Sequence, residues 1–338
     1  MIHGNERTLI AVMTAFAGGF LAASWLRRKQ HKAEEDVIEG QQICEKLTAY
    51  RRSMLPKRII LVRHGESEGN ADDTLYRTKA DNQIELTEKG SQQACAVGQR
   101  IKTLVGPNVT FHTFVSPFQR TLQTCRNILA VLGSQNVHTY VDPRIREQEF
   151  GNLQNDNFEQ FRTEQKNVGR FWYRFPTGES GADVFDRTKQ WFEHSVCGIN
   201  TRPGYEPVDT VLVVTHGLTM RLILMQLHGW SVTTFHTVWN AGNCAMYVLK
   251  KDENLPGLSP YALCPEEGDM PAASIALSVK FRNGNTKSVT LQDYLSIPQP
   301  RTRQFEAVRQ KLAEQNPDLD AKEIVDIDFH AGGFVKYK

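Results

Sequence analysis

Arginine and histidine stand where a buried strand would ordinarily run on into a loop. The stretch "RIILVRHG" passes from an apolar, β-branched-rich series, Ile59 to Val62, directly into Arg63-His64 and then Gly65. Two later segments repeat the pattern. A strand over Phe111–Val115 leads through Ser116-Pro117 to Arg120, and a strand over Thr210–Thr215 ends at His216. Between them "REQEFG" supplies two carboxylic acids, Glu147 and Glu149. Two arginines, two histidines and an acid suit phosphoryl transfer through a histidine nucleophile. Guanidinium forks match the oxygens of a phosphoryl group and stay charged at neutral pH. A neutral imidazole attacks phosphorus near pH 7, and a carboxylic acid protonates the departing oxygen. Taken one at a time these signals are weak, because a lone histidine after a strand commonly caps a helix or fills a core.

Strands alternating with helices imply an α/β fold with a mainly parallel sheet flanked by helices. Ligands in such sheets bind beyond the carboxyl ends of the strands, where Arg63, His64, Arg120 and His216 all fall. Pro117 suits the start of a helix and Gly133 its stop. Beyond Lys250 the pattern changes. Alternating runs flank Asn283-Gly284, which predicts a hairpin, and "FEAVRQKLAEQ" predicts an amphipathic helix over Phe305–Gln315.

The amino end has its own character. The run "TLIAVMTAFAGGFLAASWL", Thr8 to Leu26, carries no charge and as a helix would span roughly 28 Å, about a bilayer core. Arg27, Arg28, Lys29 and Lys32 follow it against Arg7 before it, which predicts a single-pass anchor with the catalytic domain cytosolic. The endoplasmic reticulum and the mitochondrial outer membrane both fit, and "LAAS" leaves a cleaved signal as the alternative. Ala11, Ala15, Gly19 and Ala23 form a small-residue stripe that would allow pairing into a homodimer. The expected organisation is a tail over 1–7, an anchor over 8–26, a charged helical stalk over 27–56, a catalytic domain over 57–250 and an extension over 251–338. A formal net charge of +2 argues against a nucleic-acid partner. Six cysteines at scattered positions, with no CxxC pair, read as reduced thiols rather than a disulfide framework or a metal site.

The segments "LVRHGESEGN", "SPFQRTLQT", "RIREQEFGNLQ", "PTGESGADVFDR" and "VVTHGLTMRL", in this order, resemble the histidine phosphatase superfamily, the phosphoglycerate-mutase-like fold. The resemblance covers about Lys57 to Leu249. It implies that His64 is the nucleophile that becomes phosphohistidine. Arg63, Arg120 and His216 would clamp the phosphate, with Asn70 as a further contact. Glu147, four residues before Gly151, would be the proton donor, with Glu149 its competitor. No cofactor and no metal are required, since the arginines supply the positive charge.

Within the superfamily the likeness is to fungal broad-range acid phosphatases and plant phosphoglycerate-mutase-like proteins. The Gly-Trp-x-Asp stretch of cofactor-dependent mutases is missing; the region reads "LYRTKADNQIELTEKG". The expected function is therefore hydrolysis of phosphate monoesters, on a small molecule or a phosphoprotein. A mutase-type phosphotransferase and a catalytically idle binding module are the alternatives. Arg170, Tyr173 and Arg174 either line the substrate mouth or cover a surface. "PTGES" and Asp183 are read as shaping a loop, and the remaining histidines as structural.

Overall fold

A computed structural model of the chain describes residues 29, 32, 37–151, 158–201, 208–255, 260–292 and 304–328. The chain divides into two compact units, 1–53 and 54–338. In the first, the described part of the stalk is a helix over 37–53. Among the described residues no helix is long and apolar enough to cross a membrane. That corrects the expected single-pass localisation: the helix over 37–53 carries Glu39, Glu45, Lys46, Arg51 and Arg52. The apolar run Thr8–Leu26, and with it the stripe expected to pair two copies, lies outside the described residues.

The second unit is built on a six-stranded sheet in the order β3-β2-β4-β1-β5-β6. These strands are β1 (Arg58–Arg63), β2 (Phe111–Val115), β3 (Asn136–Val141), β4 (Thr210–Thr215), β5 (Met246–Lys251) and β6 (Tyr261–Leu263). β1, β2, β3 and β4 run parallel, while β5 pairs antiparallel with β1 and β6 antiparallel with β5. The apolar run of β1 is continuous because the sheet is covered on both faces. Ile59 and Leu61 enter one core with Trp191, Val211 and Val213. Ile60 and Val62, pointing the other way, enter a second core with Ala94, Val97, Leu212 and Val214. Full burial of each such side chain contributes about 1.5–3 kcal/mol, so a one-residue slip of register is strongly disfavoured.

The register fixes the site. Arg63 pairs with Thr215 across β1 and β4, and Val115 pairs with Val214 across β2 and β4. The three strands therefore end level, and Arg63-His64, Ser116 and His216 emerge along one edge. The helices Gln119–Leu132 and Gly217–His228 begin at that edge, with Phe118 and His216 as their N-caps. Gly133 ends the first of these helices at φ +65°, as its sequence position predicts.

The expected hairpin is present as β7 (Ser274–Phe281) and β8 (Thr286–Gln292), with Gly284 at φ +86° in the turn. A strand not anticipated, β9 (Ile324–Asp328), pairs on the other side of β7. The helix Gln304–Gln315 contributes Val308 and Leu312 to a core with Leu277, Val279 and Leu291.

Candidate active site

His64 directly follows β1, and its backbone is held from two sides. Its N–H donates to the Thr215 carbonyl (3.0 Å), and its carbonyl accepts from the Cys244 N–H (3.2 Å). The ring is buried, 3% exposed. Nδ1 lies 2.7 Å from the Gly65 carbonyl oxygen. A carbonyl only accepts, so Nδ1 carries the proton and Nε2 keeps its lone pair. Burial, then the positive charges of Arg120 and Arg63, hold His64 well below the ordinary histidine value of 6.5. The ring is therefore neutral at neutral pH.

Gly65 is glycine for a steric reason. A Cβ there would stand 2.4 Å from the Gly90 carbonyl oxygen, at the start of the helix Glu88–Val105. Its N–H donates to Thr124 Oγ1 (3.0 Å) on the helix Gln119–Leu132.

His216 faces His64 with ring centroids 5.3 Å apart. Its Nε2 is 2.7 Å from Ser116 Oγ, and its Nδ1 is buried with no hydrogen-bond partner. Burial first, then Arg120, His64 and Arg63, lower its pKa well below 6.5. Arg63 Nη1 donates to the Ala241 carbonyl at 2.5 Å, and its Nε is buried without a partner. Arg120 also keeps a buried, unpartnered Nε, and its guanidinium carbon lies 5.0 Å from the Phe118 ring centroid. Buried polar groups in folded proteins are nearly always satisfied. Two guanidinium Nε groups and one imidazole nitrogen are thus left without hydrogen-bond partners near the carboxyl ends of the strands.

Glu147 lies on the loop after β3, half-buried, with Oε1 accepting from the Gln148 N–H at 3.1 Å. Burial raises its pKa above the ordinary 4.5, Asp81 raises it further, and Arg120 and Arg63 pull the other way. The rise persists against two arginines, so desolvation is the stronger influence. Glu149 is exposed and makes a local bond to the Gly151 N–H (3.3 Å). Asn70 stands at the rim, exposed. Its Oδ1 accepts from Asn243 Nδ2 (2.9 Å) and from the Ser67 N–H (3.3 Å). The structure thus gathers Arg63, His64, Arg120 and His216 at one strand edge, with Glu147 in electrostatic contact with both arginines and Asn70 at the border.

Several groups escaped the sequence reading. Ser116 was legible as the polar residue ending β2, in the place that Arg63 and His216 mark on their own strands. Asp81 grips Arg120, and nothing local announces it. Tyr76 lies in the field of Arg120, Asp81, Glu147 and Arg63, and its ring packs on Gly69, where a Cβ would be 2.7 Å away. Arg187 supports the acid loop from below, donating to the carbonyls of Arg144 (2.7 Å), Arg146 (3.0 Å) and Glu147 (3.0 Å).

Asp183 has the structural role expected of it. It completes a capping box with Ser180 on the helix Gly181–Trp191 and pairs with Arg174 (2.7 Å). Tyr173 is buried and its hydroxyl donates to Glu164 (2.9 Å), which makes it a packing residue. His112 is buried within β2 beside Tyr140.

Two arginines and two neutral histidines thus stand together at the carboxyl ends of strands in an α/β fold. Residues 59–261 match the model of the histidine phosphatase superfamily (branch 1), and the chain belongs to that family. It is 40% identical over 209 residues to phosphoglycerate mutase-like protein AT74 of Arabidopsis thaliana, covering 58% of this chain and 66% of that one. It is 25% identical over 314 residues to broad-range acid phosphatase DET1 of Saccharomyces cerevisiae, covering 66% of this chain and 93% of that one. A 2,3-bisphosphoglycerate-dependent phosphoglycerate mutase of Mesorhizobium japonicum is 33% identical over 184 residues, covering 52% of this chain and 84% of that one.

Proposed function

We propose that the protein hydrolyses phosphate monoesters through a phosphohistidine formed on His64. The observation that carries this reading is the 2.7 Å contact from His64 Nδ1 to the Gly65 carbonyl, which leaves Nε2 as the nucleophilic nitrogen. In the first step the Nε2 lone pair attacks phosphorus and the ester P–O bond breaks. Glu147 gives its proton to the departing oxygen. In the second step water attacks the phosphohistidine, Glu147 takes the water proton, and the P–N bond breaks to restore neutral His64. Arg63, Arg120 and His216 stabilise the charge on the three equatorial oxygens throughout, and Asn70 contacts the phosphate from the rim.

Hydrolysis is favoured over mutase chemistry by residue 81. An aspartate stands in "RTKADNQIEL", where mutases of this superfamily carry the Gly-Trp-x-Asp stretch. Its charge lies beside Arg120 and disfavours the second phosphate group of a bisphosphorylated intermediate. The test is a panel of alkyl phosphates, sugar phosphates, phosphoglycerates and phosphopeptides with the full chain. Release of inorganic phosphate supports the proposal. Isomerisation of 3-phosphoglycerate without phosphate release would make the enzyme a mutase, and silence across the panel would make it a binding module.

A further inference from the structure

Arg120 meets a carboxylate where a phosphate clamp would be expected to stand open. Its Nη1 donates to the Asp81 carbonyl oxygen (2.6 Å) and to Asp81 Oδ1 (2.8 Å), and its Nη2 donates to Oδ2 (3.4 Å). The side chains are 3% exposed for Arg120 and 22% for Asp81. Only Nε of Arg120 has no protein partner. The pairing is held in place by the backbone, because the Arg120 N–H donates to the Ile84 carbonyl (3.1 Å) at the end of the turn Asp81–Gln83.

A guanidinium fork binds carboxylate and phosphate in the same bidentate geometry. Asp81 thus sits on the part of Arg120 that would otherwise take two phosphate oxygens. It also sets the charge of the pocket. His64 and His216 are neutral, so the charges of the pocket are Arg63 and Arg120 against Asp81 and, once it has lost its proton, Glu147.

Resting on the phosphatase reading above, we propose that Asp81 is a positioning residue that restrains the phosphate clamp: it competes with the substrate for the terminal nitrogens of Arg120 and so keeps product phosphate weakly held. A hydrolase needs this restraint, because a dianion gripped by two free forks would leave slowly and hold the enzyme in its product complex.

The test is calorimetric binding of inorganic phosphate to the full chain and to Asp81→Asn and Asp81→Ala, together with phosphate inhibition of hydrolysis. Both variants remove a charge near a dianion, so the phosphate Kd and the inhibition constant should each fall about tenfold. KM should fall with them, and kcat should fall as product release slows. A purely structural ion pair gives the opposite pattern: a lower Tm with unchanged or weaker phosphate binding, which would overturn the role of Asp81. If the wild type releases phosphate from esters but the variants bind phosphate no more tightly, this proposal alone falls; if no ester is hydrolysed by the wild type, the phosphatase reading fails and this proposal falls with it.

Discussion

Arg187 and Glu179 are joined by two parallel hydrogen bonds of 2.9 Å, Nε to Oε1 and Nη2 to Oε2. The pair is mostly buried, with side chains 11% and 14% exposed. Glu179 also accepts from Arg146 Nη2 (2.5 Å) and from the Glu149 N–H (3.0 Å). With the three carbonyls that Arg187 holds, this network fixes the backbone of the loop that carries Glu147. The glutamate of "PTGES" therefore bears on the position of Glu147 through the backbone of its loop.

Arg187→Leu strips that support and leaves Glu179 less well paired. Breaking such a pair should cost about 3 kcal/mol of stability. In the folded fraction, kcat for alkyl phosphates should fall well beyond the change in KM, because the acid is misplaced while the phosphate clamp is intact. Steady-state kinetics beside a thermal melt would check this. Equal losses for esters with good and poor leaving groups would separate Arg187 from the acid.

The pH profile follows from two opposite shifts. His64 lies well below 6.5, so it stays neutral and nucleophilic as pH falls, until its depressed pKa is reached. Glu147 lies above 4.5, so it stays protonated into mildly acidic solution and loses its proton as pH rises through the raised value. Activity on alkyl phosphates should therefore peak on the acid side of neutrality, with an alkaline limb set by Glu147. Para-nitrophenyl phosphate, whose leaving group needs no proton, should lack that limb in its phosphorylation burst, and Glu147→Gln should leave that burst intact while slowing phosphorylation by alkyl esters at least a hundredfold. Equal slowing of the phosphorylation step for both substrates would remove Glu147 as the acid.

Much of the candidate site was legible because its residues interrupt patterns that physics makes regular. Ile59–Val62 has to be a buried strand, so Arg63 and His64 at its end stand out, and the same holds for His216 after β4. The hairpin at Asn283-Gly284 was legible from turn chemistry alone. β3 was not, since "NVHTYV" mixes polar and apolar residues and lies at the edge of the sheet, where pairing with β2 decides its structure. Asp81 and Arg187 were hidden for a different reason. Each acts on a partner about forty residues away, 81 against 120 and 187 against 147, and no local spacing encodes such a contact. The apolar run Thr8–Leu26 warns of the converse error, since hydropathy and flanking charge alone carried the localisation that the described helices do not support.

Gly65 offers a steric test. Its missing Cβ would lie 2.4 Å from a backbone oxygen of Gly90, and a Cβ on Gly90 would lie 2.0 Å from the Glu66 carbonyl oxygen. Neither contact can be relieved by turning a side chain. Gly65→Ala should destabilise the protein by about 2–3 kcal/mol and displace the carbonyl that orients His64. A thermal melt and a kcat measurement on the variant would check both, and a melt identical to wild type would show that the close approach is not maintained in solution.

Stability should fall in acid through histidines buried in the neutral form. Burial lowers His228 and His236 to about 4, and His64 and His216 are lowered as well. At pH above 6.5 both folded and unfolded chains hold these rings neutral, and no penalty arises. As pH falls from 6.5 toward 4 the unfolded chain takes up protons that the folded chain refuses, so stability is lost across that window. Tm measured from pH 7.5 to 4.5 should decline steadily below 6.5, and a flat profile would contradict the neutral burial of these rings.

The measurement that bears most directly on the central claim is trapping of the covalent intermediate. Wild-type protein mixed briefly with a phosphate ester and quenched in alkali should carry one phosphoryl group on His64, stable to base and labile to acid, located by peptide mass spectrometry. Glu147→Gln should accumulate more of it where water attack is slowed, and His64→Ala should carry none and lose at least a thousandfold in kcat. Phosphate release that continues undiminished in His64→Ala, or a phosphoryl group found on another residue, would contradict the account.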